Sequence, residues 1–464
     1  MSSDHMVADI RALSDRSEVR KRLVRRALAP RSLFEGTGGR VYSGIIDAYH
    51  GETGLPMDAA ATSALDRAWG ELLHTEPPPE YADGRLYDKR QPLALRELAA
   101  HKLFGRLDAV RPDEVVVCPY SSTVLLEEAV ATLARPGGVI VCPEGFYKSA
   151  AIHIQKSGLR IVTCPATPDD RFAIDPRALA ECLDRYRRSG ELCGVALTLP
   201  GNPVVARYSR EQLLEVARVL AAAGTRVICD MAFDQMVAEH LPIAALEVTT
   251  DAGPVRLYDR VLTITGNSKG YNAFGPCKIG AACTGDSEWL DLIRSRLTVA
   301  FQRETTHLAR AVIEHTPESY FEHNRKIMRE QLVRSLELID GIERRQGRKA
   351  LRPLGRAEGM FLTVVFDEPM LDAAGIHSGA VLEDLLLIAA GVDSVALDRT
   401  GSPRRGVRLN VLAPRKAPRQ ESRALTDELF DRLERFVERL TGGLTYPAAL
   451  AEYDLAEVDS VVLP

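Results

Sequence analysis

A regular alternation of short apolar runs and helical segments, from residue 115 to residue 283, most restricts how this chain can fold. The apolar runs are rich in valine and isoleucine, and their length is typical of buried strands. One intervening segment opens with a capping box, Ser209 and Gln212, and ends at Gly224. Continuous apolar strands that alternate with helices predict an α/β fold with a mostly parallel central sheet covered on both faces. The predicted strands are residues 115–118, 139–142, 160–163, 195–199, 226–229, 261–265 and 279–283.

Beyond about residue 289 the pattern changes, because the helical segments become longer. Residues 325–345 and 425–440 carry the apolar stripe of amphipathic helices, and residues 360–366 and 406–411 are apolar enough to form strands. These elements predict a second, smaller α+β domain at the C-terminus. We expect an N-terminal arm and small-domain segment over residues 1–60, a large domain over 61–310 and a small domain over 311–464.

Charge and cysteine content exclude several classes of function. A net charge of −5 and a pI of about 6.1 argue against nucleic-acid binding. The basic run at residues 20–26 is interrupted by apolar residues and predicts a solvated helix face. The eight cysteines include no C-x-x-C pair, so we expect no metal site and a reducing, cytoplasmic setting. The sequence shows no apolar signal segment and no run of membrane-spanning length, so we expect no membrane association.

A lysine in a turn between two predicted strands is the first candidate for chemistry. Lys269 lies between Gly266 and Gly270, just after the strand that begins at Val261. Burial lowers the pKa of a lysine, and a desolvated amine is a nucleophile that forms a Schiff base with a carbonyl group. The turn therefore predicts a partner that carries a carbonyl group.

Hydroxyl and aromatic side chains follow two other predicted strands, at the sheet edge where ligands bind in open α/β folds. Ser121 and Ser122 stand at the start of a predicted helix, where free backbone N–H groups bind phosphate. Phe146 and Tyr147 form an aromatic pair suited to stacking on a flat ring, and of the two we assign the stacking role to Phe146.

An amide and a carboxylate complete the set at this edge. Asn202 follows the strand at residues 195–199, and Asp230 follows the strand at residues 226–229. A phosphate cradle, an aromatic ring, an amide, a carboxylate and a lysine together suit a flat, phosphorylated cofactor with a carbonyl group and a basic ring nitrogen. That cofactor is pyridoxal phosphate.

Four short motifs follow one another along the chain: Pro200-Gly-Asn-Pro203, Asp230-Met-Ala-Phe233, Gly266-Asn-Ser-Lys269 and Gly406-Val-Arg-Leu409. Their order and spacing resemble those of fold-type I, class I and II aminotransferases, over about residues 45–440. The resemblance implies the three-layer fold of pyridoxal-phosphate-dependent transferases. It also implies an enzyme that acts at Cα of an amino-acid substrate, and a homodimer.

The resemblance implies a role for each matching residue. Lys269 holds the cofactor as a Schiff base and moves the proton at Cα, and Asp230 pairs with the ring nitrogen so that the ring is an electron sink. Arg408 binds the substrate α-carboxylate as a bidentate pair, with His50 and Gly51 approaching the substrate. The remaining implied cofactor contacts are Asn202 on the phenolic oxygen, Phe146 and Phe233 at the ring, and Ser121, Ser122, Ser268 and Lys278 on the phosphate.

Several positions depart from the family pattern. Phe233 stands in place of a tyrosine, and Tyr120 in place of the glycine of the phosphate turn. Cys277 occupies the place of a phosphate-binding arginine, and we interpret Lys278 as its replacement after a one-residue insertion. These departures suggest chemistry other than routine transamination. The alternatives are β- or γ-elimination or replacement on a substrate of the S-adenosylmethionine type, or an oxidase or cyclase of secondary metabolism.

A different class of enzyme also fits part of the central motif. Gly266-x-Ser268-x-Gly270 matches the nucleophile elbow of α/β hydrolases, in which Ser268 would attack the substrate. That motif requires a helix directly after the serine. Residues 272–276 predict a turn followed by another strand, so we rank a serine hydrolase well below a pyridoxal-phosphate enzyme.

Overall fold

The computed structural model describes residues 5–7, 9–31, 33–74, 84–251, 253–412 and 422–455. The first elements along the chain are β1 (His5–Met6), α1 (Ile10–Leu28), β2 (Leu33–Glu35), β3 (Val41–Ser43), β4 (Ile46–Asp47), α2 (Ala59–His74), α3 (Gly84–Tyr87) and α4 (Leu93–Leu98). Within the described ranges, no helix combines the length and the apolar character needed to cross a bilayer.

The middle of the chain alternates between strands and helices, as the sequence predicts. Its elements are β5 (Val115–Pro119), α5 (Ser122–Leu133), β6 (Val139–Val141), α6 (Lys148–Lys156), β7 (Arg160–Thr163), α7 (Pro176–Arg188), β8 (Leu192–Thr198), α8 (Arg210–Ala223), β9 (Val227–Asp230), β10 (Glu247–Thr250), β11 (Gly253–Arg256), β12 (Val261–Gly266), β13 (Ile279–Cys283), α9 (Ser287–Arg296) and α10 (Arg303–His315).

The last third of the chain contains longer helices and a second sheet. Its elements are α11 (Glu318–Gln346), β14 (Leu351–Leu354), β15 (Phe361–Phe366), α12 (Glu368–Ala373), α13 (Gly379–Ala390), β16 (Val392–Asp393), β17 (Val395–Ala396), β18 (Gly406–Asn410), α14 (Ser422–Thr441) and α15 (Tyr446–Glu452).

An eight-stranded sheet forms the centre of the large domain, in the order β1-β7-β6-β8-β9-β12-β13-β5. The five strands from β7 to β12 are parallel, and β13 runs antiparallel to both of its neighbours. Successive residues of β5 face opposite cores, because Val115 and Val117 pack on one side and Val116 and Cys118 on the other. The predicted α/β fold, with a mostly parallel sheet covered on both faces, is confirmed.

The parallel strands end in register, which places their following residues at one edge of the sheet. Asp230, the last residue of β9, pairs with Thr198 at the end of β8 and with Ile264 near the end of β12. The loops after these three strands therefore begin side by side. This register is what brings together polar residues that are far apart in sequence.

The small domain packs a four-stranded antiparallel sheet, in the order β14-β15-β18-β17, against α11, α13 and α14. Its core draws on both ends of the chain, because Val24, Leu28 and Phe34 pack with residues beyond 330. Helix α11 has Tyr320 and Phe321 in the large-domain core, and its later residues in the small-domain core. The domain boundaries at residues 60 and 310 stay predictions.

Two of the basic residues of α1 are buried, so the expectation of a solvated helix face is wrong for Arg20 and Lys21, whereas Arg22 and Arg26 are exposed. Arg20 and Lys21 are almost inaccessible to solvent. Arg20 pairs with Asp384, and Lys21 pairs with Glu383 at 2.9 Å and with Asp393 at 2.7 Å. These carboxylates come from α13 and β16, so the charges of α1 fix the N-terminal helix to the small domain.

Candidate active site

A cavity of about 330 Å³ lies between the carboxyl ends of the parallel strands and the small domain. Its wall contains residues from the loops after β5, β6, β8, β9 and β12, together with β17 and β18. The predicted site residues found in this wall are His50, Gly51, Ser121, Ser122, Asn202, Asp230, Phe233, Ser268, Lys269, Lys278 and Arg408.

Lys269 lies in the turn after β12, with its side chain in the cavity. Its amine donates a hydrogen bond to the carbonyl oxygen of Gly51 at 2.7 Å. Burial first, and then the nearby charge of Lys278, lower the pKa of Lys269 below its usual value. The arrangement therefore favours the neutral, nucleophilic amine.

The turn that carries Lys269 is held by Asn267, a residue of the Gly266-Asn-Ser-Lys269 motif to which the sequence pattern assigns no role. Asn267 is fully buried; its side chain donates to the carbonyl of Cys277 at 2.8 Å and accepts from the N–H of Ile279 at 2.9 Å. At the start of the turn, a Cβ on Gly266 would lie 2.6 Å from the carbonyl oxygen of Ile279. Glycine at this position lets the two strands approach closely enough to fix the lysine.

Asp230 is a buried carboxylate without an ion-pair partner among the described residues. One of its oxygens accepts a hydrogen bond from the N–H of Ala232 at 2.9 Å. Burial raises the pKa of Asp230 to about 6, and its hydrogen bond to Ala232 opposes this rise. Such a carboxylate is suited to a cationic N–H group of a ligand, whose charge would compensate its own.

Arg408 extends from β18 of the small domain towards the same edge. Its guanidinium donates to the side-chain oxygen of Asn202 at 2.8 Å and to the backbone carbonyl of Tyr49, and it lies 4.0 Å from the ring centre of Phe361. Among the described residues its buried Nε has no hydrogen-bond partner, and burial lowers the pKa of Arg408 to about 10. An incoming carboxylate would satisfy this orphaned donor and compensate the charge.

The opposite end of the cavity has the features of a phosphate site. Ser121 is the N-cap of α5 and Ser122 its first residue, and Ser268 and Lys278 line the same cavity. Strand β13 passes directly behind this turn, because a Cβ on Gly280 would lie 2.6 Å from the backbone of Ser121 and Ser122. Free N–H groups of a helix N-terminus, hydroxyl groups and an ammonium are the partners that a phosphate requires.

The substitution of Tyr120 for glycine places a strained residue in this turn. Tyr120 has φ of +77°, in the left-handed region, and its side chain is 53% exposed. Because left-handed backbone costs a non-glycine residue roughly 1–2 kcal/mol, we expect Tyr120→Gly to raise the free energy of unfolding by about 1 kcal/mol. A thermal melt of the two proteins measures the change.

Tyr120→Ala is the matched control, because it removes the aromatic ring and keeps the Cβ that causes the strain. We expect the alanine variant to show no such gain in stability. An equal rise in melting temperature for both variants would mean that the ring, and not the backbone, is the source of the strain.

Phe146 does not line the cavity, so its predicted stacking role is corrected. The chain turns at Gly145, which has φ of +84°, and the ring of Phe146 then packs in the core. A Cβ on Gly401 would lie 2.2 Å from that ring, which shows how closely the backbone covers it. The next residue, Tyr147, faces the cavity instead, and burial raises its pKa.

Cys277 and Lys278 are a second pair of adjacent residues of which only the later one lines the cavity. The thiol of Cys277 is turned inwards and donates to the carbonyl of Phe274 at 2.8 Å, and burial raises its pKa. Lys278 lines the cavity at the end that holds Ser121 and Ser122. The geometry therefore gives Lys278, and not Cys277, access to an anion.

Phe233 and His50 lie on the walls beside Lys269. The ring of Phe233 packs edge-on against Phe361, with 5.5 Å between the ring centres, and presents no hydroxyl group to the cavity. The imidazole Nδ1 of His50 lies 2.7 Å from the carboxylate of Asp47, which fixes its orientation. Its side chain remains 30% exposed.

The segment after Ser268 does not form a nucleophile elbow. Residues 267–272 form turns, a short 3₁₀ helix follows at Gly275–Cys277, and the chain then enters β13. The helix that a hydrolase motif needs directly after its serine is replaced by this strand. The serine-hydrolase alternative therefore lacks its structural basis.

Solved structures with the same fold confirm the architecture. A single mutant of Thermus thermophilus aspartate aminotransferase superposes with a TM-score of 0.69 at 17% identity, covering 90% of this chain and 96% of that one. An N-succinyldiaminopimelate aminotransferase from Mycobacterium tuberculosis gives 0.69 at 20% identity, covering 93% and 100%. These similarities establish the three-layer fold with its smaller C-terminal domain.

The sequence profile described as "Aminotransferase class I and II" matches residues 80–392. This match covers more than half of the 464 residues. The chain therefore belongs to the class I and II aminotransferase family. His50, Gly51 and Arg408 lie outside the matched segment, yet the fold brings all three into the cavity.

Curated relatives match shorter segments. A probable N-succinyldiaminopimelate aminotransferase of Mycobacterium tuberculosis is 30% identical over 188 residues, which are 40% of this chain and 44% of the relative. An aspartate aminotransferase of Pinus pinaster is 24% identical over 184 residues, which are 39% and 36% of the two chains. The matched segment thus spans less than half the length of each relative.

Proposed function

We propose that this protein is a pyridoxal-phosphate-dependent enzyme of the aminotransferase type that acts at Cα of an amino-acid substrate. One observation carries the proposal: Lys269, Asp230 and Arg408 line one cavity, Asp230 and Arg408 are buried and Lys269 is half-buried, and among the described residues none of the three has an ion-pair partner. A cofactor with an aldehyde and a basic ring nitrogen, together with a substrate carboxylate, would satisfy all three groups.

The residues of the cavity fit the parts of this cofactor. Lys269 would bond to its aldehyde carbon, Asp230 would hold the proton on its ring nitrogen, and Asn202 would donate to its phenolic oxygen. Tyr147 would lie against the ring in the role that we first assigned to Phe146. The hydroxyl groups of Ser121, Ser122 and Ser268, the N-terminus of α5 and Lys278 would hold its phosphate.

When bound, pyridoxal phosphate supplies an electron sink that stabilises negative charge at Cα of the substrate. Arg408 would bind the α-carboxylate through two parallel hydrogen bonds and so fix which bond at Cα faces the lysine. Lys269, with its lowered pKa, would take the proton from Cα and return it to another atom.

A second copy of the chain is part of the proposal. Tyr120 directly precedes Ser121, Phe274 lies four residues before Lys278, and the two aromatic residues are 53% and 62% exposed. Exposed aromatic side chains next to a binding site are often covered by a partner. We propose a homodimer in which the second subunit covers this end, and sedimentation of the purified protein measures its mass.

Elimination or replacement at Cβ or Cγ is the second candidate reaction. The observation that favours it is Phe233, which places an apolar ring in the cavity where a tyrosine hydroxyl would contact the phenolic oxygen. Loss of that hydrogen bond changes the electronic properties of the bound ring. An oxidase or cyclase of secondary metabolism would also depend on this change in the electronic properties of the ring.

A screen of amino acids separates these reactions. Purified holoenzyme is mixed with each amino acid, S-adenosylmethionine included, with and without 2-oxoglutarate, and the products are identified by mass spectrometry. We expect an amino acid to perturb the absorption of the bound cofactor and, with 2-oxoglutarate, to give the corresponding 2-oxo acid and glutamate. Release of a side-chain leaving group without glutamate would favour elimination or replacement, and no spectral response to any amino acid would contradict the proposed function.

A further inference from the structure

Asn410 is the last residue of β18 and is fully buried. Val407 and Leu409 pack in the small-domain core, so Arg408 and Asn410, which alternate with them along the strand, point to its opposite face. Arg408 lines the active-site cavity, whereas Asn410 lies behind the cavity wall. Its contacts are therefore with the backbone that forms this wall.

The side-chain amide of Asn410 holds the backbone on both sides of Gly51. Its Nδ2 donates to the carbonyl of His50 and to the carbonyl of Glu52, each at 2.7 Å. Its Oδ1 accepts from the backbone N–H of Leu412 at 3.0 Å. Both hydrogens of the amide are used by these two carbonyls, so the orientation of the side chain is fixed.

The carbonyl between these two anchored residues is the one that contacts Lys269. The amine of Lys269 donates to the carbonyl of Gly51 at 2.7 Å, and among the described residues this is its one hydrogen bond. A Cβ on Gly51 would lie 3.7 Å from the same nitrogen, so the amine lies directly against the backbone. Because Asn410 holds the carbonyls before and after Gly51, it restricts rotation of the peptide unit that carries the acceptor.

Arg408 supports the same segment in a different way. Its guanidinium donates to the carbonyl of Tyr49, two residues before Gly51. A substrate α-carboxylate at Arg408 would compete with that carbonyl for the guanidinium. The support that Asn410 gives to Gly51 does not depend on which ligand Arg408 holds.

We propose that Asn410 is a positioning residue for Lys269, because it fixes the carbonyl of Gly51 as the acceptor that holds the amine whenever the amine is not bonded to the cofactor. The inference rests on the proposed function, in which Lys269 is both nucleophile and proton carrier. A fixed N–H···O bond limits the directions in which the lone pair of the nitrogen can point. Misplacement of a reacting group by about 1 Å can lower a rate by about 10²-fold.

Substitution of Asn410 by alanine tests this role, because it removes the donors to His50 and Glu52. Asn410→Ser is the second variant, since a hydroxyl group can still donate to one of the two carbonyls. Ser335→Ala is the matched control: Ser335 is fully buried in α11, and its hydroxyl donates to the carbonyl of Gln331. That change removes a buried hydrogen bond of the small domain away from the cavity.

Attachment of the cofactor to the cofactor-free protein tests the position of Lys269 without any turnover. Pyridoxal phosphate is mixed with each protein in a stopped-flow spectrometer, and the concentration dependence of the rate separates non-covalent binding from bond formation. In Asn410→Ala we expect the covalent step to be about 10–100-fold slower than in the wild type, and the non-covalent dissociation constant to stay within about twofold. Ser335→Ala is expected to keep both wild-type values.

Asn410→Ser should slow the covalent step by about 3–10-fold, and it carries the test by itself if the alanine variant does not fold. Steady-state kinetics of the holoenzymes supply an independent measurement. We expect kcat of Asn410→Ala to fall about 10–100-fold while KM for the amino acid stays within about threefold, because Arg408 is retained.

Two results would overturn the inference. One is a covalent step that is as fast in the Asn410 variants as in the wild type, or that Ser335→Ala slows equally. The other is a raised KM with an unchanged kcat, which would show that Asn410 supports substrate binding and not Lys269. Both results leave the proposed function intact, since the cofactor still attaches. A wild-type protein to which pyridoxal phosphate does not attach contradicts the proposed function itself, and the inference fails with it.

Discussion

Replacement of Lys269 by alanine is expected to abolish covalent attachment of the cofactor and to lower kcat/KM for amino-acid substrates by about 10³-fold or more. Lys269 has the lowered pKa of a desolvated amine and donates to the carbonyl of Gly51, so it is fixed at the centre of the cavity. Its loss removes both the nucleophile and the group that moves the proton at Cα. Steady-state kinetics and the absorption spectrum of the purified variant measure the two effects.

Two other lysines line the same cavity and serve as controls. Lys148→Met and Lys278→Met should both retain the covalently attached cofactor, because neither lysine lies in the turn after β12 that carries Lys269. Lys278→Met is expected to bind the cofactor about tenfold more weakly, through loss of a charge-assisted contact to the phosphate. A Lys269→Ala protein that still holds its cofactor covalently, through either of these lysines, would refute the assignment of Lys269.

Asp230→Asn is expected to lower kcat for the reaction at Cα by about 10²–10³-fold while the cofactor remains bound. Asparagine preserves the size of the side chain and can still accept from the N–H of Ala232. It carries no negative charge, so the proton on the ring nitrogen loses its counter-ion and the ring becomes a weaker electron sink. Single-turnover measurements with a saturating amino acid separate this loss from any change in substrate binding.

Asp230→Asn, which lowers kcat, is expected to stabilise the cofactor-free protein above pH 6. Burial raises the pKa of Asp230 from 3.8 to about 6, so the folded state holds this proton more tightly than the unfolded state does. The resulting stabilisation is complete below pH 3.8 and is lost as the pH rises through about 6. A shift of about two pKa units corresponds to about 3 kcal/mol.

Above pH 6, cofactor-free Asp230→Asn should therefore melt at a higher temperature than the cofactor-free wild type, and the difference should shrink as the pH falls towards 4. Differential scanning fluorimetry at several pH values measures the trend. A difference in melting temperature that does not change with pH would show that the carboxyl group of Asp230 is not desolvated in the folded protein.

Much of the fold follows from local pattern, because buried strands and capped helices have signals within a few residues. β7 and β13 have the predicted bounds, and α8 has the predicted capping box, in which Ser209 and Gln212 bond to each other's N–H groups. The residues that follow the strands could also be predicted as neighbours, since parallel strands align their carboxyl ends.

The choice between Phe146 and Tyr147 could not be made from local pattern. The loop after β6 has no strand periodicity, and its direction depends on the left-handed turn at Gly145 and on the close approach of Gly401. Gly401 belongs to the small domain and is more than 250 residues away in sequence. Contacts of that kind decide which of two adjacent aromatic rings faces the cavity.

The burial of Arg20 and Lys21 and the position of Lys148 have a similar cause. Arg20 and Lys21 resemble surface residues until carboxylates of α13 and β16 are brought against them. Lys148 gains its place in the site through Tyr49, which is about a hundred residues away along the chain. A pattern of a few residues holds no information on such pairs.

Reduction of the purified protein with borohydride tests the central claim most directly. Borohydride converts a Schiff base between pyridoxal phosphate and a lysine into a stable amine, and trypsin digestion followed by mass spectrometry then locates it. We predict a phosphopyridoxyl group on Lys269, within an uncleaved peptide that spans residues 261–278. A protein without the adduct, or with the adduct on another lysine, would contradict the account.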